Sequence, residues 1–288
     1  MPTAREIKSH IHSVRSIAKV TRALETVSAV KNRRLQARLL STRAYADKSW
    51  EVLSHLASAV ARAREDPVFR GYSDVRSVGM LLITSDRGMV GAFNLEVVAL
   101  ATGYCQRSPQ PVKLVTIGRI GRDAMLRQGY AVHADFSQPG DVPDLGSLAL
   151  VAHVLLDGFR DRVFDKVVMV YAQFRSGAGI RPTIRQLLPA SPAQTTLRRE
   201  YIYEPEPEAL LSALLPRLIR FQVYEALLQS VFAENVARMT AMHAATRNAN
   251  DLLTNLTTTY NEARQQAITA EIIDVLGGAG ASSGRQDL

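Results

Sequence analysis

The chain has 288 residues, enough for one large or two modest domains, and its 47% hydrophobic content supplies a core of ordinary size. No run of about 18 or more uncharged apolar residues is present, which argues against a membrane span. The formal net charge is +8, and the excess is concentrated at one end: eleven Lys and Arg residues between Arg5 and Lys48 face only Glu6, Glu25 and Asp47. A helix so basic calls for a polyanion, an acidic protein surface or anionic lipid as its neighbour. The single cysteine, Cys105, excludes an internal disulfide and a cysteine-based metal site, and is expected to fill a helix–sheet contact. The N-terminus has no apolar signal-peptide core, so a cytoplasmic protein is expected.

Residues 3 to about 64 read as one helix. Ile7, Ile11, Val14, Ile17, Leu24, Val27, Val30, Leu35, Leu39, Trp50, Leu53, Leu56 and Val60 carry the 3–4 spacing, and Thr3 with Glu6 fits a capping box. Asp66-Pro67 and Gly71 stop it. The period then changes. Strands are predicted over Val75–Ser85, Val112–Gly118, Ala131–Phe136 and Lys166–Arg175, alternating with helices over Gly91–Arg107, Arg119–Gln128 and Leu145–Arg162. Such alternation predicts an α/β unit, a Rossmann-like parallel sheet with helices on its faces, over about residues 75–190. Thr183–Leu188 is expected as an antiparallel edge strand. Residues 191–207 read as a Pro- and Thr-rich connector.

From about Glu208 to Leu276 the pattern is helical again, with no Pro or Gly between Pro216 and Gly277. Leu228, Val231, Asn235, Met239, Met242, Thr246, Ala249, Leu253, Leu256, Tyr260, Ala263 and Ala267 recur at steps of 3 or 4, the seam of a coiled coil. A helix of that length measures roughly 100 Å, too long for one small core to cover. Two long terminal helices with similar seams predict an antiparallel coiled coil: residues 1–66 against 208–276. Small residues crowd the last seam, which leaves Arg238, Arg247, Arg264, Gln265, Gln266 and Glu271 off it and free to meet other subunits. The Gly/Ser-rich tail, 277–288, is expected to be flexible.

Catalytic chemistry is hard to find. The turn from Thr84 through Asp86, Gly88 and Gly91 to Asn94 joins a strand to a helix, as a phosphate cradle does, yet it has neither the GxxxxGK[ST] nor the GxGxxG spacing. A structural turn is the favoured reading. His153 lies on an apolar helix and is expected as a hydrogen-bonded core histidine. No histidine pair has metal spacing, and no two carboxylates are placed as general acid and base. No cofactor, metal or catalytic residue is therefore expected. Two other classes stay open on the residues alone: a basic coiled-coil nucleic-acid binder, and a nucleotide-dependent enzyme built on the Gly88/Gly91 turn.

Several segments together resemble the gamma subunit of the F-type ATP synthase. They are Ala4-Arg5-Glu6-Ile7, Lys19-Val20-Thr21-Arg22-Ala23, Thr84-Ser85-Asp86-Arg87-Gly88 with Gly91-Ala92-Phe93-Asn94, Tyr203-Glu204-Pro205 and Gln222-Val223-Tyr224. The last helix adds Val231 to Met242, Ala245 to Ala249, Tyr260 to Gln265 and Ile268 to Ile272. The resemblance covers nearly the whole chain with the motifs in order. It implies a non-catalytic rotor shaft that carries rotation of a membrane c ring to the catalytic beta subunits, inside a ring of alpha and beta subunits and beside epsilon. It further implies a peripheral protein at the cytoplasmic face of a bacterial membrane. Carried over by position, Lys19, Arg22, Leu24, Lys31, Arg33, Arg34, Arg238, Arg264, Gln265 and Thr269 would contact the beta side. Tyr203 and Glu204 would lie toward the c ring and epsilon. Leu24 and Thr26 stand where the family usually has methionines, and Asn32 where an apolar residue is more usual.

Overall fold

Thr3 and Glu6 open the first helix by capping each other. The Thr3 N–H donates to Glu6 Oε2 at 2.8 Å and the Glu6 N–H reaches Thr3 Oγ1 at 3.4 Å, which satisfies two donors that have no partner inside the helix. That helix, α1, runs Ala4–Ala59. The computed structural model describes residues 3–60, 66–175, 179–190 and 203–283. The order continues with α2 (Pro67–Arg70), β1 (Val78–Ile83), α3 (Phe93–Arg107), β2 (Val112–Ile117), α4 (Arg119–Arg127) and β3 (Val132–Phe136). A 3₁₀ turn at Gly146–Leu148 leads into α5 (Ala149–Arg160), followed by β4 (Lys166–Arg175), β5 (Gly179–Leu188) and α6 (Pro207–Ser283).

Asp66-Pro67, read as a stop, also starts α2: Asp66 Oδ1 accepts the Val68 N–H at 2.9 Å, and Pro67 takes the first helical position, where its missing N–H costs nothing. The expected end of the first helix near residue 64 and most of the expected connector, 191–202, lie outside the described residues. The last helix runs to Ser283 rather than to Leu276. No proline interrupts it there, and an established helix gains one hydrogen bond for each residue it adds.

By its internal contacts the chain divides into two units, Met1–Val27 with Thr240–Leu288, and Ser28–Met239. In the first, α1 and α6 pair antiparallel: Thr21 meets Thr246, and four residues on, Glu25 meets His243. Met242, Thr246 and Ala249 are buried and Leu253, Leu256, Tyr260 and Ala263 are half-buried, so the expected seam of α6 stands as far as Ala263; Ala267, expected in it, is exposed. The α1 side differs from expectation. Ile17, at 55% exposed, faces outward, while Ile7 and Thr21 are buried and Val14 and Ala18 are partly covered.

In the second unit α1 and α6 make contacts of their own. Asn32 Nδ2 lies 4.0 Å from Met239 Sδ, and Arg38 Nε donates to the Tyr224 hydroxyl at 3.1 Å. Here Ser28, Asn32 and Leu35 are buried, whereas Val30 is 48% exposed; Val27, the last α1 residue of the first unit, is 49% exposed. The physical reason is the period. Residues 7, 14, 21, 28 and 35 repeat at seven, the spacing that keeps one stripe facing a partner helix, and Ile17, Val27 and Val30 fall outside that phase.

The sheet of the second unit has the order β3-β2-β1-β4-β5. β1 pairs with β2 and β4 in parallel, β2 pairs with β3 in parallel, and β5 pairs with β4 antiparallel as an edge. Alternate residues of β1 explain its burial on both sides. Leu81 and Ile83 join Val151, Leu155 and Phe159 of α5 and Tyr224, Leu227 and Leu228 of α6. Met80 and Leu82 join Phe93, Val97 and Ala101 of α3 and Met125 of α4. Strands covered on both faces read as continuous apolar runs, and β1 is VGMLLI.

Candidate functional site

The strand-to-helix turn after β1 shows first what the chain does with its one loop that looks like a phosphate cradle. Asp86 places its own carboxylate where an anion would sit: Oδ1 accepts the Arg119 N–H, at the start of α4, at 2.9 Å, and Oδ2 accepts the Gln138 N–H at 3.1 Å. Thr84 Oγ1 takes the Gly121 N–H at 2.9 Å, and the Ile120 N–H goes to the Ser85 carbonyl. Asn94 closes the other side, accepting from the Ser85 N–H at 3.1 Å and donating to Ser85 Oγ at 2.7 Å. The residues of the motif therefore bind one another. Gly118 and Gly121 are needed for that closeness, since a Cβ at either would lie 2.1 Å from the Thr84 carbonyl oxygen or 2.5 Å from Thr84 Oγ1. A cavity of about 320 Å³ opens beside the turn, and its mouth carries Arg87, Arg119 and Arg122 with Asp86 and Asp135. Arg122 is already paired with Asp123 at 2.9 Å and Asp135 at 3.0 Å.

Among the described residues no group of three or more His, Cys, Asp or Glu is placed to hold a metal, and no helix is long and apolar enough to cross a membrane. His153 is not the core histidine expected: its side chain is 73% exposed and Nε2 lies 2.9 Å from Asp157 Oδ2, because this position falls on the outer face of α5. Cys105 packs part-buried against the sheet core, and burial pushes its thiol up to about 11, so it stays protonated at neutral pH.

What remains as a surface for function is the outward face of α1 and α6. In the first unit Lys19, Arg22, Arg264, Gln265 and Thr269 are exposed and Leu24 is half-buried; the Thr269 hydroxyl donates to the Gln265 carbonyl at 2.9 Å. In the second, Arg33 and Arg34 are exposed, whereas two of the expected contact residues are already engaged. Lys31 Nζ pairs with Asp141 Oδ1 at 2.5 Å, and Arg238 Nη2 pairs with Glu234 Oε1 at 2.7 Å. Arg238, expected off the seam and free, is only 15% exposed in its side chain. Tyr203 packs part-buried against a small cluster with Leu56, Val60 and Leu211, and Glu204 is exposed.

Close in sequence to Lys19 and Arg22, and again near the end of α6, apolar side chains are exposed that hydrophobicity assigns to the seam or leaves unassigned. Ile17 and Val20 are 55% and 57% exposed, and on α6 Leu252, Ile268, Ile272 and Ile273 are also turned outward. The seam itself holds small polar groups: Thr21, Ser28 and Asn32 of α1 and Asn235 and Thr246 of α6 are buried, with Thr21 against Thr246. The signal that could have found this is the seven-residue repeat, which ignores side-chain polarity.

Comparison with known proteins places the chain in context. The family model described as ATP synthase matches residues 3–281. The ATP synthase gamma chain of Chloroflexus aurantiacus is 42% identical over 287 residues, 98% of this chain and 99% of that one. That of Roseiflexus castenholzii is 37% identical over 286 residues, with the same coverage. In fold, the chain is similar to a chain of the Euglena gracilis mitochondrial ATP synthase (OSCP/F1/c-ring, rotational state 3), with a TM-score of 0.70 at 16% identity, covering 99% of this chain and 96% of that one. It is also similar to one from the Tetrahymena thermophila mitochondrial ATP synthase central stalk and c ring, with a TM-score of 0.60 at 24% identity, covering 78% and 99%.

Proposed function

The chain belongs to the ATP synthase gamma-chain family, and from that premise we propose which of its residues couple the rotor to its neighbours. The chain is a non-catalytic rotor subunit of the ATP synthase complex, the shaft that carries rotation to the catalytic part. The observation that carries this is the relation to ATP synthase gamma chains over 98% of its length. The two long helices and the mixed sheet are the architecture that such a shaft needs.

A shaft does its work by contact energy that differs between orientations, because a coupling element can shift a two-state neighbour only by its differential affinity for the two states. Lys19, Arg22, Leu24, Arg264, Gln265 and Thr269 supply such contacts to beta subunits, joined by Arg33 and Arg34. Lys31 and Arg238, paired within the chain with Asp141 and Glu234, belong to the same proposed surface. The exposed Ile17 and Val20 beside these cations support a face that is covered in the assembly, since an apolar stripe rimmed by charge is what interfaces leave bare when alone. Tyr203 and Glu204, with the sheet unit around residues 75–190, face the c ring and epsilon, while the paired terminal helices, 1–66 and 208–276, enter the ring of alpha and beta subunits. The complex holds the chain at the cytoplasmic face of a bacterial membrane. Nothing in the comparisons supports the nucleic-acid-binding alternative.

The test is the Arg264→Ala/Gln265→Ala double variant in the assembled complex. Assembly is expected to persist while ATP synthesis falls; synthesis equal to wild type would remove these two residues from the coupling surface.

A further inference from the structure

The loop after β3 is fastened to four elements of its unit. Its Gln138 N–H donates to Asp86 Oδ2 at 3.1 Å, and Asp86 Oδ1 holds the first N–H of α4. The Gln138 side chain turns the other way: Nε2 donates to Glu234 Oε2 on α6 at 3.0 Å, and the second Glu234 oxygen accepts from Arg238 at 2.7 Å. Three residues along, Asp141 pairs with Lys31 of α1 at 2.5 Å. One polar path thus runs from the ends of β1 and α4 through residue 138 into α6, and a second joins the same loop to α1.

The two anchors are not equal. Asp141 is 69% exposed, and an ion pair so open to water contributes little. Glu234 is 7% exposed and Arg238 15%, so their interactions are screened far less. A charged pair is a poor device for stability alone, because an apolar pair of the same volume packs there at no desolvation cost. Its advantage is direction. Apolar burial between α6 and the sheet resists separation but not sliding, whereas a hydrogen bond weakens steeply once its angle is disturbed. We propose that Gln138 and Glu234 form a strut: positioning residues that hold α6 in register against the sheet, so that rotation applied to the sheet unit passes to the helix. This rests on the rotor reading.

The test is a donor–acceptor exchange in the assembled complex. Gln138→Glu sets two carboxylates against each other; Gln138→Glu/Glu234→Gln restores one amide facing one carboxylate. Two quantities are read on each: hydrogen exchange at the residue-138 amide, and protons pumped per ATP hydrolysed against a standing gradient. In Gln138→Glu, exchange is expected to rise about tenfold or more and the pumping ratio to fall at least about twofold, with hydrolysis maintained. The double variant is expected to return both toward wild type. A pumping ratio that stays at the wild-type value while exchange rises makes the loop a fold anchor only and overturns the strut, as does a double variant no better than the single one. A wild-type tagged chain that brings down no alpha or beta subunit would overturn the rotor reading itself.

Discussion

Thr21 and Thr246 share a buried hydrogen bond, Oγ1 to Oγ1 at 2.8 Å, across the pair formed by α1 and α6. The two hydroxyls have two protons for three acceptors: whichever one donates across the pair gives up its local carbonyl, that of Ala18 at 3.2 Å for Thr21 or that of Met242 at 2.9 Å for Thr246. A seam lined by such groups gives up apolar burial and gains a fixed register, since a slip of either helix would leave hydroxyls facing methyls. Replacing either residue with Val is expected to cost about 1 kcal/mol. The double Val variant should cost less than the two singles together, by about 0.5 kcal/mol or more. Urea unfolding of the full chain, followed by helical signal, measures all three; strictly additive losses would mean that the bond contributes nothing.

Asp165 gives a pH-dependent prediction. It is 2% exposed; burial pulls its carboxyl up, but the N–H groups of Arg76 and Ser77, at 2.8 and 3.1 Å, and the Arg162 guanidinium together bring it below the ordinary value. A carboxyl lowered by folding adds stability that is present above its unfolded value of about 3.9 and is lost as pH falls through the folded value. Asp165→Asn is expected to lower stability at pH 7 by about 2 kcal/mol. It should also flatten the dependence of Tm between pH 5 and 2, read by calorimetry. An unchanged slope would show that the acid sensitivity comes from other carboxylates.

Gly118 tests the turn. Its φ of 101° and the 2.1 Å approach that a Cβ would make to the Thr84 carbonyl oxygen leave no room for a side chain. Gly118→Ala is expected to cost upwards of about 2 kcal/mol through strain and the loss of the α4 start. Gly129→Ala, where φ is 84° but nothing lies within 4 Å, should cost only the backbone penalty of about 1 kcal/mol. Equal losses at the two positions would refute crowding at Thr84 as the cause.

The architecture was legible because its signals are periodic. The βα alternation, the antiparallel edge strand and the α6 seam from Leu228 to Ala263 all follow from spacing, and the structure repeats them within a few residues. The α1 seam was misread where polarity and period disagree. Thr21, Ser28 and Asn32 occupy buried positions that hydrophobicity assigns to Ile17, Val27 and Val30. Pairing across distant segments was not legible at all. Nothing in the sequence links Gln138 to Glu234 or Asp86 to Arg119, because side-chain contacts between loops have no period. The Arg238 pairing is different: Glu234 stands four residues earlier on the same helix, a spacing that is legible and that hydrophobic periodicity alone passes over.

The misplaced apolar residues carry the last prediction. Ile17 and Val20 make few contacts within the chain, being 55% and 57% exposed, so Ile17→Ser/Val20→Ser should leave the unfolding free energy of the free chain within about 0.5 kcal/mol. If that face is covered by the alpha and beta subunits, the variant forfeits burial worth about 1.5 kcal/mol or more for each side chain fully covered. The two numbers separate an interface from a surface accident. Melting of the free chain is compared with the concentration at which it reconstitutes ATPase activity with alpha and beta subunits. The expected result is an unchanged melt and a reconstitution midpoint raised about tenfold or more. A shifted melt would mean that these residues belong to the chain's own core, and unchanged values for both would show that no partner rests on this stripe.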